Sequence, residues 1–218
     1  MLTTEHRADR IVLYNIAWQQ FENLLLNLGE SRTARVAYDD GALDIMTPLL
    51  EHEYYKEIIG DIIKDTAEIL ELDYEWYGST TWKMELKKAG IESDNCFYFQ
   101  SEALIRGKLQ LDLNQDPPPD LALEIDVTSK SLNRFPIYAR LGVPEIWSYD
   151  AGEIKIYQLQ GPEYIEKEQS LVFPNLKVQE IPSLIERHRI AGRRVYDKKL
   201  ENGYAEGNKN NKSPYFAS

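Results

Sequence analysis

Cysteine is almost absent from this chain: Cys96 is the single one among 218 residues, and one cysteine cannot close an internal disulfide. That excludes a disulfide-built scaffold and points to a reducing compartment. Long hydrophobic runs are missing too. No stretch approaches the roughly 20 apolar residues of a membrane-spanning helix, and the opening MLTTEHRADRIVLYN lacks the apolar core of a signal peptide. A cytoplasmic protein with no membrane partner is expected. Positive charge is the third shortage. Lys and Arg number 25 against 36 Asp and Glu, a formal net charge of −11. A passive nucleic-acid binder draws most of its affinity from Lys and Arg on phosphates, so an acidic chain that handles nucleic acid needs bound metal ions, a local basic patch, or both. Internal repeats are absent as well, which excludes solenoids and propellers.

What is present is an ordinary globule, 43% hydrophobic and 28% charged. At about 150 residues per domain, the length suits one domain with decorations. We expect a single domain over residues 1–200 and a disordered tail over 201–218, where Asn, Lys, Gly and Ser dominate.

Trp18, Phe21, Leu25 and Leu28 recur at the helical period, with Asn15 placed to cap the helix and Gly29 to stop it. In ARVAYDDGALDIMTP, alternating apolar residues flank Asp40-Gly41, which signals a hairpin. The longest helical pattern runs from about Glu51 to Leu72. Then YEWYGSTTWKMEL reads as a strand, a turn is expected around Gly90, and DNCFYFQ reads as a second strand. PDLALEIDV is the third. A helix over about Ser131–Leu141 follows, with Pro136 in its first turns and Gly142 at its end. VPEIWSYD and EIKIYQLQ form another hairpin around Ala151-Gly152, a further strand falls near Tyr164–Glu168, and a last helix spans Ser183–Tyr196. The order predicts an α/β (α+β) fold, a mixed sheet covered by helices.

The third strand carries the chemistry. Alternation places Leu121, Leu123, Ile125 and Val127 on one face and Asp120, Ala122, Glu124 and Asp126 on the other. Two readings fit: an edge strand with a solvated polar face, or a central strand whose carboxylates are paired, hydrogen-bonded or bound to a metal because unpaired buried charge costs several kcal/mol. Asp94 opens the second strand. If the two strands are neighbours, Asp94 meets Glu124, and a hard cation such as Mg²⁺, with Mn²⁺ as substitute, would satisfy both acids.

With Asp94 and Glu124 in this order of elements, the chain resembles the PD-(D/E)XK nuclease superfamily, and more closely its Uma-two branch of restriction endonuclease relatives. The runs PPPDLALEIDVTSKSLNRFPIYARLGVPEIWSYD, ESDNCFYF, and LDIMTP followed by EHEYYKEIIGDI carry the resemblance. It covers roughly Trp18 to Leu159. It implies a restriction-endonuclease-like fold and a metal-dependent endonuclease acting on DNA, with Asp94 and Glu124 as catalytic metal ligands and Asp126 as an auxiliary ligand. Ser93 stands where the superfamily name has proline, and Asp126 where it has lysine. In this branch the lysine lies on the following helix, which corresponds here to Arg134, four residues before Tyr138. Lys130 and Lys83 are the other candidates. Arg keeps the charge but carries protons poorly.

His52 opens the long helix facing the sheet, and a lone His there is more often a core residue than a ligand; the resemblance adds a supporting role beside the site. Glu53 and Glu57 are candidate helix carboxylates. The only sizeable basic cluster is Arg187, His188, Arg189, Arg193, Arg194, Lys198 and Lys199. Cys96 reads as a core residue. The alternative to the nuclease is a catalytically silent relative that binds protein or nucleic acid, favoured by the net charge and the missing lysine. A homodimer would suit cleavage of both strands of a duplex.

Overall fold

The computed structural model describes residues 9–29, 33–126 and 132–191. In chain order these form β1 (Arg10–Leu13), α1 (Trp18–Leu28), β2 (Arg35–Asp39), β3 (Ala42–Met46), α2 (Leu50–Ile69), β4 (Glu75–Trp76), β5 (Thr81–Met84), β6 (Ala89–Glu92), β7 (Asn95–Tyr98), α3 (Glu102–Ile105), β8 (Leu121–Asp126), α4 (Phe135–Leu141), β9 (Glu145–Asp150), β10 (Glu153–Gln160), β11 (Glu163–Lys167) and α5 (Ile181–Ala191). The fold is mixed α/β, as expected, but its strands divide between two sheets. A five-stranded antiparallel sheet has the order β1-β3-β2-β6-β5, and a six-stranded sheet has the order β11-β10-β9-β8-β7-β4. In the second, β8 and β9 are parallel and the other neighbours antiparallel.

Both predicted hairpins form. Asp40 and Gly41 have φ of 41° and 97°, and Ala151 and Gly152 of 49° and 85°, the left-handed pair that matches the twist of the flanking strands. Other expectations shift. Asn15 does not cap α1; its φ is 59° and the helix starts from Ala17, whose N–H donates to Gln20 Oε1 at 2.8 Å. The Ile16 N–H is committed to Gly41 O at 3.0 Å, which ties this approach to the hairpin turn rather than to the helix. YEWYGSTTWKMEL breaks at Gly78, with φ 54°, so that β4 joins β7 while β5 joins β6 in the other sheet. Gly90 lies inside β6 rather than in a turn; the chain reverses just before it, at Lys88, with φ 45°.

The strand β8 is central and covered on both faces. Leu121, Leu123 and Ile125 meet Ile59, Ile62, Ile63 and Ala67 of α2. On the opposite face Ala122 meets Ile137, Tyr138 and Leu141 of α4, together with Ala37, Trp82 and Ile91 of the five-stranded sheet. Each fully buried large side chain of this kind contributes about 1.5–3 kcal/mol. The edge-strand reading therefore fails: Glu124 is 6% exposed and Asp120 8%. Among the described residues no helix is long and apolar enough to cross a membrane.

Candidate active site

The pairing of β7 with β8 builds the site. Asn95 lies opposite Leu123 and Cys96 opposite Ala122, so one further step sets Asp94 opposite Glu124. Asp94 occupies the link between β6 and β7, and its Oδ2 accepts the backbone N–H of Ile125 at 2.8 Å. A loop acid is thereby fastened to the central strand. Glu124 extends from β8 toward α4, where Tyr138 Oη donates to Oε1 and Arg134 pairs with Oε2.

Two more side chains close on Asp94. His52, in the first turn of α2, brings Nε2 to 3.1 Å from Asp94 Oδ1, off the line a hydrogen bond requires, so that Oδ1 accepts no hydrogen bond among the described residues. Arg35, at the start of β2, donates to Glu92 Oε1 at 2.7 Å and Glu53 Oε1 at 3.3 Å and holds its Nε 3.8 Å from Asp94 Oδ1. Arg35, His52, Glu92, Asp94 and Glu124 are all buried. The two arginines and the histidine compensate charge that the interior would otherwise resist.

The two acids titrate apart. Burial alone would raise Asp94, yet His52, Arg134 and the Ile125 N–H together hold its carboxyl below the usual range. Burial pushes Glu124 up to about 7, with Asp94 adding to the rise and Arg134 and Tyr138 opposing it. Burial disfavours charge on His52, but Asp94, Glu53 and Glu124 outweigh it and raise the imidazole. Adjacent carboxylates pushed in opposite directions are characteristic of functional sites.

The expected residues fare differently. Asp94, Glu124 and Arg134 converge. Asp126 lies on the Glu124 face by alternation and is half-buried, but no three His, Cys, Asp or Glu among the described residues form a group that would hold a metal ion. Lys130 lies outside the described residues, as do Arg193, Arg194, Lys198 and Lys199. Lys83 is not near Asp94; it pairs with Glu22 of α1 at 2.5 Å. Glu53 binds Lys56 and Arg35, and Glu57 sits on the outer face of α2 beside Lys56. The third carboxylate of the β8 face is structural: Asp120 accepts the N–H groups of Phe99 and Ser101 at 2.8 and 2.9 Å and shapes the entry to α3. Arg134 pairs with Glu124, while Glu145 of β9 is held by Trp147, Gln158, Ser170 and Leu171.

Sequence reasoning missed Arg35 and left Tyr138 without a role. Tyr138 was accessible, because residues four apart share a helix face and Arg134 was already a candidate. Arg35 had no such signal. Its burial follows from β2 pairing with β6, which brings it beside Glu92 and Asp94.

No curated protein matches the chain in sequence. In structure the chain is similar to a crystal structure described as "a putative nuclease belonging to DUF820 from Anabaena variabilis", at 16% identity and a TM-score of 0.50, covering 77% of this chain and 98% of that one. That likeness shows the restriction-endonuclease-like fold. A family model described as "Putative restriction endonuclease" matches residues 18–187. On that match, which spans most of the sequence, the chain belongs to the Uma2 family.

Proposed function

We propose that this protein is a divalent-cation-dependent endonuclease that hydrolyses phosphodiester bonds in DNA. The observation that carries this reading is the fastening of Asp94 to the main chain of β8 beside Glu124. It places two buried acids level on neighbouring strands, with cations of the chain around them. The donor set suits Mg²⁺ or Mn²⁺, hard cations that take carboxylate oxygens, and the buried Asp94 Oδ1 accepts no aligned hydrogen bond among the described residues, although His52 Nε2 lies 3.1 Å from it. Asp94 and Glu124 would hold the ion. Bound there, it would lower the pKa of a water and stabilise charge on the phosphoryl oxygens.

The chain's own groups do the rest. Arg134 is a fixed cation at the edge of the carboxylates and orients the scissile phosphate by its guanidinium fork. Tyr138 sets the rotamer of Glu124. His52 and Arg35 keep Asp94 ionised and in place. These positive groups offset the acidity of the chain at the point where a phosphate approaches. Cutting both strands suits a two-fold dimer, which sedimentation with and without duplex would reveal.

The test is cleavage of supercoiled plasmid with Mg²⁺ or Mn²⁺ by wild type, Asp94→Asn and Glu124→Ala. We expect nicking by wild type that both substitutions abolish. Equal activity of wild type and Glu124→Ala sinks the site. A second reading, a silent relative that binds without cutting, is favoured by one feature: the chain itself occupies both oxygens of Glu124. Metal-independent DNA binding without cleavage by the wild type would support it.

A further inference from the structure

The two acids are not equivalent. Asp94 keeps one oxygen without a hydrogen bond among the described residues, whereas Glu124 is closed on both sides, by Arg134 on Oε2 and Tyr138 on Oε1. Arg134 immediately precedes α4 and Tyr138 lies in its first turns. The Arg134 side chain is 14% exposed and that of Glu124 8%, so the pair sits where the interior meets solvent. A divalent cation that reaches Glu124 competes with this guanidinium, a like charge on the same carboxylate.

Resting on the reading above, we propose that a divalent cation and a phosphodiester bind this site cooperatively, because Arg134 exchanges Glu124 for the phosphate and thereby releases Glu124 to the metal. The reason is charge balance in a poorly solvated place. A metal that takes Glu124 alone leaves the Arg134 guanidinium without its carboxylate, and a phosphate that takes Arg134 alone leaves Glu124 without its cation. Either broken pair is costly when buried. Arrival of both ligands restores two opposite-charge contacts for the one lost. The guanidinium suits the exchange, since its planar fork matches carboxylate and phosphate oxygens alike. Tyr138 carries no charge and remains on Glu124, holding its orientation while Arg134 changes partner. Because coupling between two ligands is reciprocal, phosphate must tighten the metal by the factor by which metal tightens phosphate.

Calorimetric titration of Mn²⁺ into the protein, with and without saturating dimethyl phosphate, tests this on wild type, Arg134→Gln and Glu124→Gln. Dimethyl phosphate is a phosphodiester monoanion too small to make wider contacts. We expect it to tighten Mn²⁺ binding to wild type by about tenfold, within the usual span of such couplings. Arg134→Gln should bind Mn²⁺ about tenfold more tightly than wild type without phosphate and gain nothing further when it is added, since the competing cation is gone. Equal Mn²⁺ affinity of wild type and Arg134→Gln, or undiminished coupling in Arg134→Gln, overturns the exchange. If plasmid cleavage still depends on Glu124 in that case, the nuclease reading survives. Mn²⁺ binding unchanged by Glu124→Gln, or absent from all three proteins in both conditions, overturns the exchange together with the metal-ligand reading. Should Arg134→Gln fail to fold, Arg134→Met, which likewise removes the charge, replaces it with the same expected outcomes, and an undiminished coupling there overturns the exchange.

Discussion

Oδ2 of Asp94 accepts the backbone N–H of Ile125 at 2.8 Å. Glu124 is the residue immediately before Ile125, so movement of one acid relative to the other requires breaking a buried hydrogen bond to the central strand. Losing such a bond while leaving the donor buried costs about 1–3 kcal/mol. The two carboxylates thus form a preorganised pair, and the groups around them lend themselves to separate tests.

Arg134 is expected to act on rate. Arg134→Ala should slow plasmid cleavage by about a hundredfold or more, the scale of losing one preorganised electrostatic contact. Arg134→Lys should retain or raise activity, because a lysine contacts phosphate as a point charge. Single-turnover cleavage at saturating Mg²⁺ measures both, and activity of Arg134→Ala equal to wild type removes Arg134 from the reaction.

Glu145 is expected to act on stability. Its carboxylate accepts from Trp147 at 2.7 Å, Ser170 at 2.6 Å, Leu171 at 2.5 Å and Gln158 at 3.3 Å. Glu145→Gln turns an amide N–H₂ toward these donors and should cost about 1–3 kcal/mol in urea unfolding at pH 7. Burial lifts this carboxyl above its ordinary value despite the four donors. The folded state therefore holds the proton more tightly than the unfolded chain. The group's contribution is full below the unfolded value of about 4.3 and fades as pH rises through the raised folded value. The wild-type advantage over Glu145→Gln should thus shrink from pH 4 toward neutrality. An advantage that grows with pH would mean that the four donors outweigh burial.

Gly60 sits inside α2, where alanine ordinarily stabilises by about 1 kcal/mol. Here the expected sign is reversed. A Cβ at Gly60 would lie 2.6 Å from Asn95 Nδ2, and Asn95, next to Asp94, is buried and accepts from Trp76 Nε1. Gly60→Ala should destabilise by about 1–3 kcal/mol, the usual range for overpacking. Asn95→Ala in the same chain should restore much of the loss, and a double-mutant cycle in urea reads the coupling.

Cys96 should be inert while the protein is folded. It is fully buried, its thiol reaches Gly78 O at 3.5 Å, and burial pushes it up to about 12. The thiolate is the reactive form. A chromogenic thiol reagent should leave the native protein unlabelled and modify one thiol per chain in urea; rapid labelling without denaturant would contradict this burial.

The local elements were legible because they rest on short-range rules. Asp40-Gly41 and Ala151-Gly152 between alternating apolar residues specify tight hairpins whatever surrounds them, and the apolar face of α2 follows from the helical period. The alternation in PDLALEIDV likewise decided that Glu124 and Ile125 point to opposite faces of β8. Alternation reports faces and not neighbours, so it left open whether the polar face met water. Only the pairing of β8 with β7 on one side and β9 on the other made the strand central and its acids buried. The separation of β4 from β5 into different sheets was equally out of reach, because both segments have the same local pattern and differ only in partner. Asp94 and Glu124 were found from the sequence by strand position and family resemblance. Arg35 was not, since an arginine opening a strand is ordinarily solvated, and it becomes a buried counter-charge only where β2, β6 and α2 bring Glu92, Asp94 and Glu53 around it. Charge type was written locally; which charges meet was decided by contacts between residues far apart in the chain.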